Sequence, residues 1–414
     1  MAVSETARAT IDAAEQAGPR AVARPSYNVA IGYLRGFLVV MVLAHHSVLA
    51  YVVSKPPLPQ SLAIPPLWWR AFPIVDSQHS IALSLFTGFN DDFFMSLMFL
   101  LSGLFVWSSL KRKGSAAFTR DRMGRLGIPF LFAAAIVAPL AYYPTYLTTG
   151  AHGIAGYARE WMAFGDWPTG PAWFIWLLLA FDLAVAAIFL LMPNFGDALA
   201  RWTSNARQHP MRFFVGLLAA SCAVYIPMAA VFGPSAWTSI GPFQFQTPRL
   251  LHYAVYFAAG IGIGAHGIDS GLLAADGILA HHWPRWTLWA MAAFVASIGF
   301  FALATTSGAA ISPALLTSVG GVFYATVCAS ISIAFLALFV RFATRRRWLF
   351  DTISDNEYGV YLIHYAFVSW LQFAMLSAPL SAIEKGSAVF IGTLILSWMV
   401  SAAMRSIPAV SRIV

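Results

Sequence analysis

Apolar residues along this chain come in continuous blocks rather than in alternation or in one-sided stripes. The blocks are about 20 residues long, the length that crosses the hydrocarbon of a bilayer as a helix. They fall at residues 30–53, 92–110, 127–147, 172–192, 211–232, 248–267, 285–306, 313–340, 358–378 and 387–405. The polar positions collect between them. Segment 62–90 fits neither class, because its LAIPPLWWRAF and IALSLFTGF pieces are broken by Pro, Trp and Asn; it reads as an interfacial loop. Residues 1–27 are Ala-rich and mixed in charge, without the apolar core of a cleavable signal, and read as a disordered cytoplasmic tail. The pattern predicts an all-α fold, a polytopic transmembrane bundle of ten spans over residues 28–408.

Composition agrees: 59% of residues are hydrophobic, 10% are charged and mean hydropathy is +0.70, outside the range of soluble domains. The 25 Lys and Arg against 17 Asp and Glu first suggest nucleic acid, but their placement points elsewhere. Apart from Arg35, the N-terminal tail, the even-numbered loops and the C-terminus hold 19 of them and the odd-numbered loops hold 5. By the positive-inside rule both termini are cytoplasmic, and the basic excess serves topology. The partner it implies is a lipid bilayer, not nucleic acid. No internal repeat of fixed period is visible, which disfavours transporter folds built from repeats. Cys222 and Cys328 fall inside spans and read as packing residues. His281 and His282 have no third ligand nearby, so no metal site is expected.

The chemistry sits in the first span, LRGFLVVMVLAHH, residues 34–46. On a helix advancing about 100° per residue, His46 returns to within about 20° of the face of Arg35, about 16 Å further along the axis. His45 points about 80° away. With the N-terminus inside, Arg35 lies near the cytoplasmic surface and His46 near the bilayer middle. Ionisable groups at that depth face a cavity or a partner rather than lipid. A desolvated neutral imidazole suits a general base, whereas hydrogen bonding between helices is the structural alternative. For Arg35 alone, that alternative is snorkelling to the headgroups.

Arg35-Gly36 followed by His46 resembles the opening motif of the integral-membrane acyltransferase-three family. Four later stretches are similar to family motifs in the same order: FLLSGLFVW with Ser102 and Gly103, RDRMGRLGIPF with Arg122, Arg125 and Pro129, PAWFIWLLL with Trp173 and Phe174, and EYGVYLIHY with Tyr358, Gly359, Tyr361 and His364. FMSLMFLLSG together with KRKGSAAFTRDRMGRLGIPF also resembles the branch containing periplasmic-glucan succinyltransferases. The chain departs from the family at two places. Ser96 stands where an Asp is frequent, with Asp91 and Asp92 about a turn earlier, and Glu357 stands where a small hydroxyl residue is usual.

The resemblance implies O-acyl transfer from cytoplasmic acyl-CoA, a co-substrate and not a bound cofactor, to a hydroxyl of an extracytoplasmic carbohydrate or glycan. It also implies residence in the bacterial cytoplasmic (inner) membrane. His46 would then be the general base, Arg35 the cation at the mouth of the donor path, and Ser102 a donor to the oxyanion, unless the Ser-Gly pair only packs helices. Arg122 and Arg125 would clamp the phosphates of the donor, since guanidinium binds phosphate in two-pronged fashion. Trp173, Tyr361 and His364 would line the cavity or the acceptor site. Two other classes stay open: a proton-coupled transporter using the buried His and acidic residues as a relay, and a receptor-like protein indifferent to the Arg35–His46 face.

Overall fold

The computed structural model describes residues 28–54, 72–163, 165, 167–306 and 312–411. Every predicted block is helical within them. The long helices are α1 (Val29–Val48, prolonged by a 3-10 turn to Tyr51), α2 (Ile81–Lys113), α3 (Ser115–Thr148), α4 (Gly170–Leu191), α5 (Pro210–Phe232), α6 (Leu250–His266), α7 (Trp283–Thr306), α8 (Pro313–Phe342), α9 (Trp348–Met375) and α10 (Ala382–Arg405). Eight of them are long and apolar enough to cross a membrane. The remaining two fall short for different reasons: α6 has only 17 residues, and the charge-free last 18 residues of α9 hold His364, Gln372 and three tyrosines. A hairpin of β1 (Trp237–Ile240) and β2 (Phe243–Gln246) is the one sheet among the described residues. The protein is an all-α polytopic bundle.

Two expectations are corrected. Residues 81–90 are not loop but the first turns of α2; their Thr, Gly and Asn imitate a turn in sequence, and tertiary packing overrides them. The chain is tied to the end of α1 just before that helix, where the Asp76 and Ser80 amides donate to the carbonyls of Ala50 (3.2 Å) and Tyr51 (2.9 Å). KRKGSAAFTRDRMGR is not a loop either. Helix α2 ends at Lys113 and α3 starts at Ser115, and Gly114 alone makes the turn at φ +76°, a conformation that favours glycine. Most of LAIPPLWWRAF, and the predicted tail 1–27, lie outside the described residues.

Polar contacts sort the helix ends into two sets. Asn28–Asp269 (2.6 Å), Tyr33–Asp351 (2.9 Å) and Lys111–Asp197 (2.7 Å) mark one end of the bundle. Thr145 to the Pro73 carbonyl (2.7 Å) and the buried Lys385–Asp76 pair (2.8 Å) mark the other. Arg405 donates to the carbonyl of Asp355, one turn from Asp351, so the chain starts α1 and finishes α10 at the same end. That end carries the basic loops. Helices α2 and α8 are central, with 78% and 67% of their most apolar windows buried, and α7 is peripheral at 11%.

Helix α3 contains two π-helical turns, Met123–Gly127 and Ala133–Val137. Two carbonyls stay open to other donors because the residues that would close their turns, Pro129 for Arg125 O and Pro139 for Ala134 O, carry no N–H. Side chains supply those donors here: the Tyr358 hydroxyl donates to Arg125 O (2.6 Å) and the Trp167 indole to Ala134 O (2.7 Å).

Candidate active site

Helices α1 and α9 run parallel and in register, and the site is built along their seam. Close approach begins at Gly36, where an added Cβ would sit 3.3 Å from both Ile353 Cγ2 and Ser354 Cα. A larger residue would push the helices apart. From the basic end, the Tyr33 hydroxyl bonds Asp351 (2.9 Å) and Ser354 donates to the Gly32 carbonyl (3.0 Å). Arg35 Nη2 then meets Glu357 Oε1 at 2.6 Å. Further along, the His46 and His364 rings lie 5.2 Å apart, centroid to centroid. Beyond them Gln372 Nε2 donates to the carbonyls of His46 (2.9 Å) and Ser47 (3.1 Å). The stripe predicted from the eleven-residue spacing therefore faces α9 over its whole length.

Both imidazoles are fixed by the main chain. His46 Nδ1–H donates to Val42 O at 2.8 Å and His364 Nδ1–H to Tyr361 O at 2.7 Å. A carbonyl only accepts, so each Nδ1 carries the proton and each Nε2 keeps its lone pair. His364 is fully buried and its Nε2 has no partner among the described residues. His46 is half-buried, with Tyr365 edge-on to it at 5.4 Å. Two neighbouring lone-pair nitrogens cannot bond each other. A hydroxyl, a thiol or a proton placed between them would satisfy one or both.

Other expected residues divide. Tyr361 and His364 join this cluster: the Tyr361 hydroxyl donates to Pro171 O, and its ring packs on Phe174 at 5.9 Å. Thr169, Pro171, Tyr361 and Tyr365 line a cavity of about 10 Å³, room for one water. Trp173 is directed elsewhere, stacked on Tyr253 (5.8 Å) and edge-on to Trp237 (5.7 Å) of the hairpin. Ser102 is not brought to His46 either. Its hydroxyl is spent on Met98 O at 2.8 Å, and it lies about 12 Å along α2 from Phe94, the residue that stacks on His45. The Ser-Gly pair packs helices: a Cβ on Gly103 would overlap Phe257 O, as Cβ atoms on Gly260 and Gly264 would overlap Leu100 O and Leu104 O.

Neither departure from the family pattern supplies a carboxylate to His46. Glu357 pairs with Arg35 and Asp91 with Arg249 (2.7 Å), so the group that orients the ring is the Val42 carbonyl. Sequence reading missed Glu357 as the partner of Arg35. Its place directly beside an apolar span was the available signal, because a carboxylate at that depth needs a cation. At the basic end, Arg122 Nε lies 3.2 Å from the buried Asp182 carboxylate with its guanidinium 4.9 Å over Phe118, so part of its charge is committed. Arg125 is exposed, and its guanidinium makes no ion pair among the described residues. The Tyr358 bond to its carbonyl joins it to α9 beside Glu357. Both cysteines are free, and Cys328 Sγ meets His252 Nε2 at 3.4 Å.

Residues 28–402 match the acyltransferase domain family, the same acyltransferase-three family that the motifs resemble. The chain belongs to that family and is an integral-membrane acyltransferase that moves groups other than amino-acyl groups. Comparison with curated proteins and with solved structures finds no match.

Proposed function

We propose that the enzyme transfers an acetyl or succinyl group from cytoplasmic acyl-CoA to a hydroxyl of an extracytoplasmic carbohydrate or glycan, with His46 as general base, in a bacterial cytoplasmic membrane. The observation that carries this reading is the α1–α9 seam, which leads from the half-exposed Arg35 beside Glu357 to the free Nε2 of His46, about 16 Å along one helix face. The basic end faces the cytoplasm by the positive-inside rule. Arg125, with Arg122 behind it, meets the phosphates of the donor there, and the thioester arm reaches inward past Arg35.

The acceptor hydroxyl hydrogen-bonds His46 Nε2, which takes its proton as the oxygen attacks the thioester carbonyl. The tetrahedral intermediate collapses, the C–S bond breaks, and the imidazolium returns the proton to the leaving thiolate. Ester and free thiol result, and the base is regenerated. His364 stands beside His46 to orient the hydroxyl or hold an intervening water.

The test supplies purified protein in nanodiscs with labelled acetyl- and succinyl-coenzyme A and cell-envelope glycans, following label by mass spectrometry and thiol release by a thiol-reactive dye. Transfer dependent on His46 is expected. Substrate flux across proteoliposomes without any thiol release would replace this reading with a transporter.

A further inference from the structure

The reaction above uses one face of α1. The other face, carrying His45, meets polar groups that it leaves idle. His45 stacks on Phe94 (5.3 Å) and its Nδ1 is buried without a partner. Asn90 lies one helical turn before Phe94, on the same face of α2. It is fully buried, and neither its amide nitrogen nor its amide oxygen has a hydrogen bond. An amide with all its capacity unspent calls for water or ligand.

Asp91 follows. Although α2 is already in its third turn there, half of its side chain is accessible. Arg249 holds it in place, Nη1 on its carbonyl (3.0 Å) and Nη2 on Oδ2 (2.7 Å), while the guanidinium rests 4.7 Å over Tyr324. Oδ1 accepts no hydrogen bond among the described residues. The His45 ring is 5.3 Å from that of His46, so this face of α1 adjoins the base.

The chemistry of these groups selects a ligand. Asp91 opposes an anion and Arg249 a cation, and an apolar group would leave Asn90 unsatisfied. Neighbouring hydroxyls, each both donor and acceptor, match the chemistry of an amide, a carboxylate oxygen and an imidazole nitrogen. We propose that His45, Asn90 and Asp91 seat a neutral, hydroxyl-rich acceptor on the far face of α1, with Arg249 as the positioning residue for Asp91. This rests on His46 being the base that receives the acceptor's proton.

The test measures saturable binding of maltopentaose and cellopentaose to the nanodisc protein, and acceptor and donor KM by thiol release. Asn90→Leu and Asp91→Asn should each raise the sugar Kd and KM at least tenfold while donor KM stays within twofold. Arg249→Lys should raise acceptor KM with little change in kcat. Should Asn90→Leu melt well below the parent, Asn90→Ser, which restores one hydroxyl, must give an intermediate KM. An unchanged sugar KM, acceptor and donor KM rising together, or no saturable binding of either sugar to the parent would each overturn the proposal. Binding is also measured in His46→Gln protein: sugar that binds a parent unable to release thiol supports this site and defeats the functional reading, so the two failures are separable.

Discussion

Replacing His46 with Gln removes the proposed base while sparing the structure around it. The only hydrogen bond of the side chain among the described residues is Nδ1–H to Val42 O, worth about 0.5–1.5 kcal/mol net. The Gln372 contacts that tie α9 to this turn reach the carbonyls of His46 and Ser47, so they survive any side chain. Stability should fall by about 1 kcal/mol. General-base catalysis contributes about 10²–10⁴-fold, or about 2.7–5.4 kcal/mol at 1.36 kcal/mol per tenfold, and an amide cannot supply it. The catalytic loss therefore exceeds the structural one by a wide margin. Thiol release from acyl-CoA, measured on detergent-purified protein of equal monodispersity, should fall at least a hundredfold in His46→Gln. His45→Gln should keep a kcat within tenfold of the parent. Turnover of His46→Gln within tenfold of the parent, or loss of kcat in the His45 variant instead, would refute the assignment of the base.

Arg35→Ala should lower both turnover and melting temperature, because it strands the Glu357 carboxylate, which is only 9% exposed; about 1–2 kcal/mol is expected, less than for a fully buried pair because Arg35 is 43% exposed. Adding Glu357→Gln to it should restore the melting temperature without restoring turnover, and recovery of both would reduce Arg35 to a structural role. Ser102→Ala should retain most activity, since its hydroxyl only back-bonds within α2, whereas Gly103→Val should fail to yield folded protein in a detergent-extraction assay. Lys385→Ala should lower the melting temperature in thermal-shift measurements by removing the cation held 2.8 Å from the buried Asp76, and Lys385→Met with Asp76→Asn should recover part of the loss.

The chain's own order determined a good deal of this protein. Membrane spans are legible because the bilayer demands an unbroken apolar length from every crossing, and all ten blocks are helices in the structure. The Arg35–His46 stripe is legible because both residues belong to one helix, whose pitch is local geometry. Tertiary structure decided the rest. Helical pitch says nothing about which neighbour a face will meet. Glu357, His364 and Gln372 come to α1 from more than three hundred residues away, at a register set by the close approach over Gly36. The same kind of packing removed Ser102 and Trp173 from the site, since backbone contact at Gly103 and ring stacking at Tyr253 hold them in other interfaces. It also turned residues 81–90 into helix. In a membrane, hydrophobicity places each span but hardly distinguishes one neighbour from another, so small residues and buried polar pairs choose the partners.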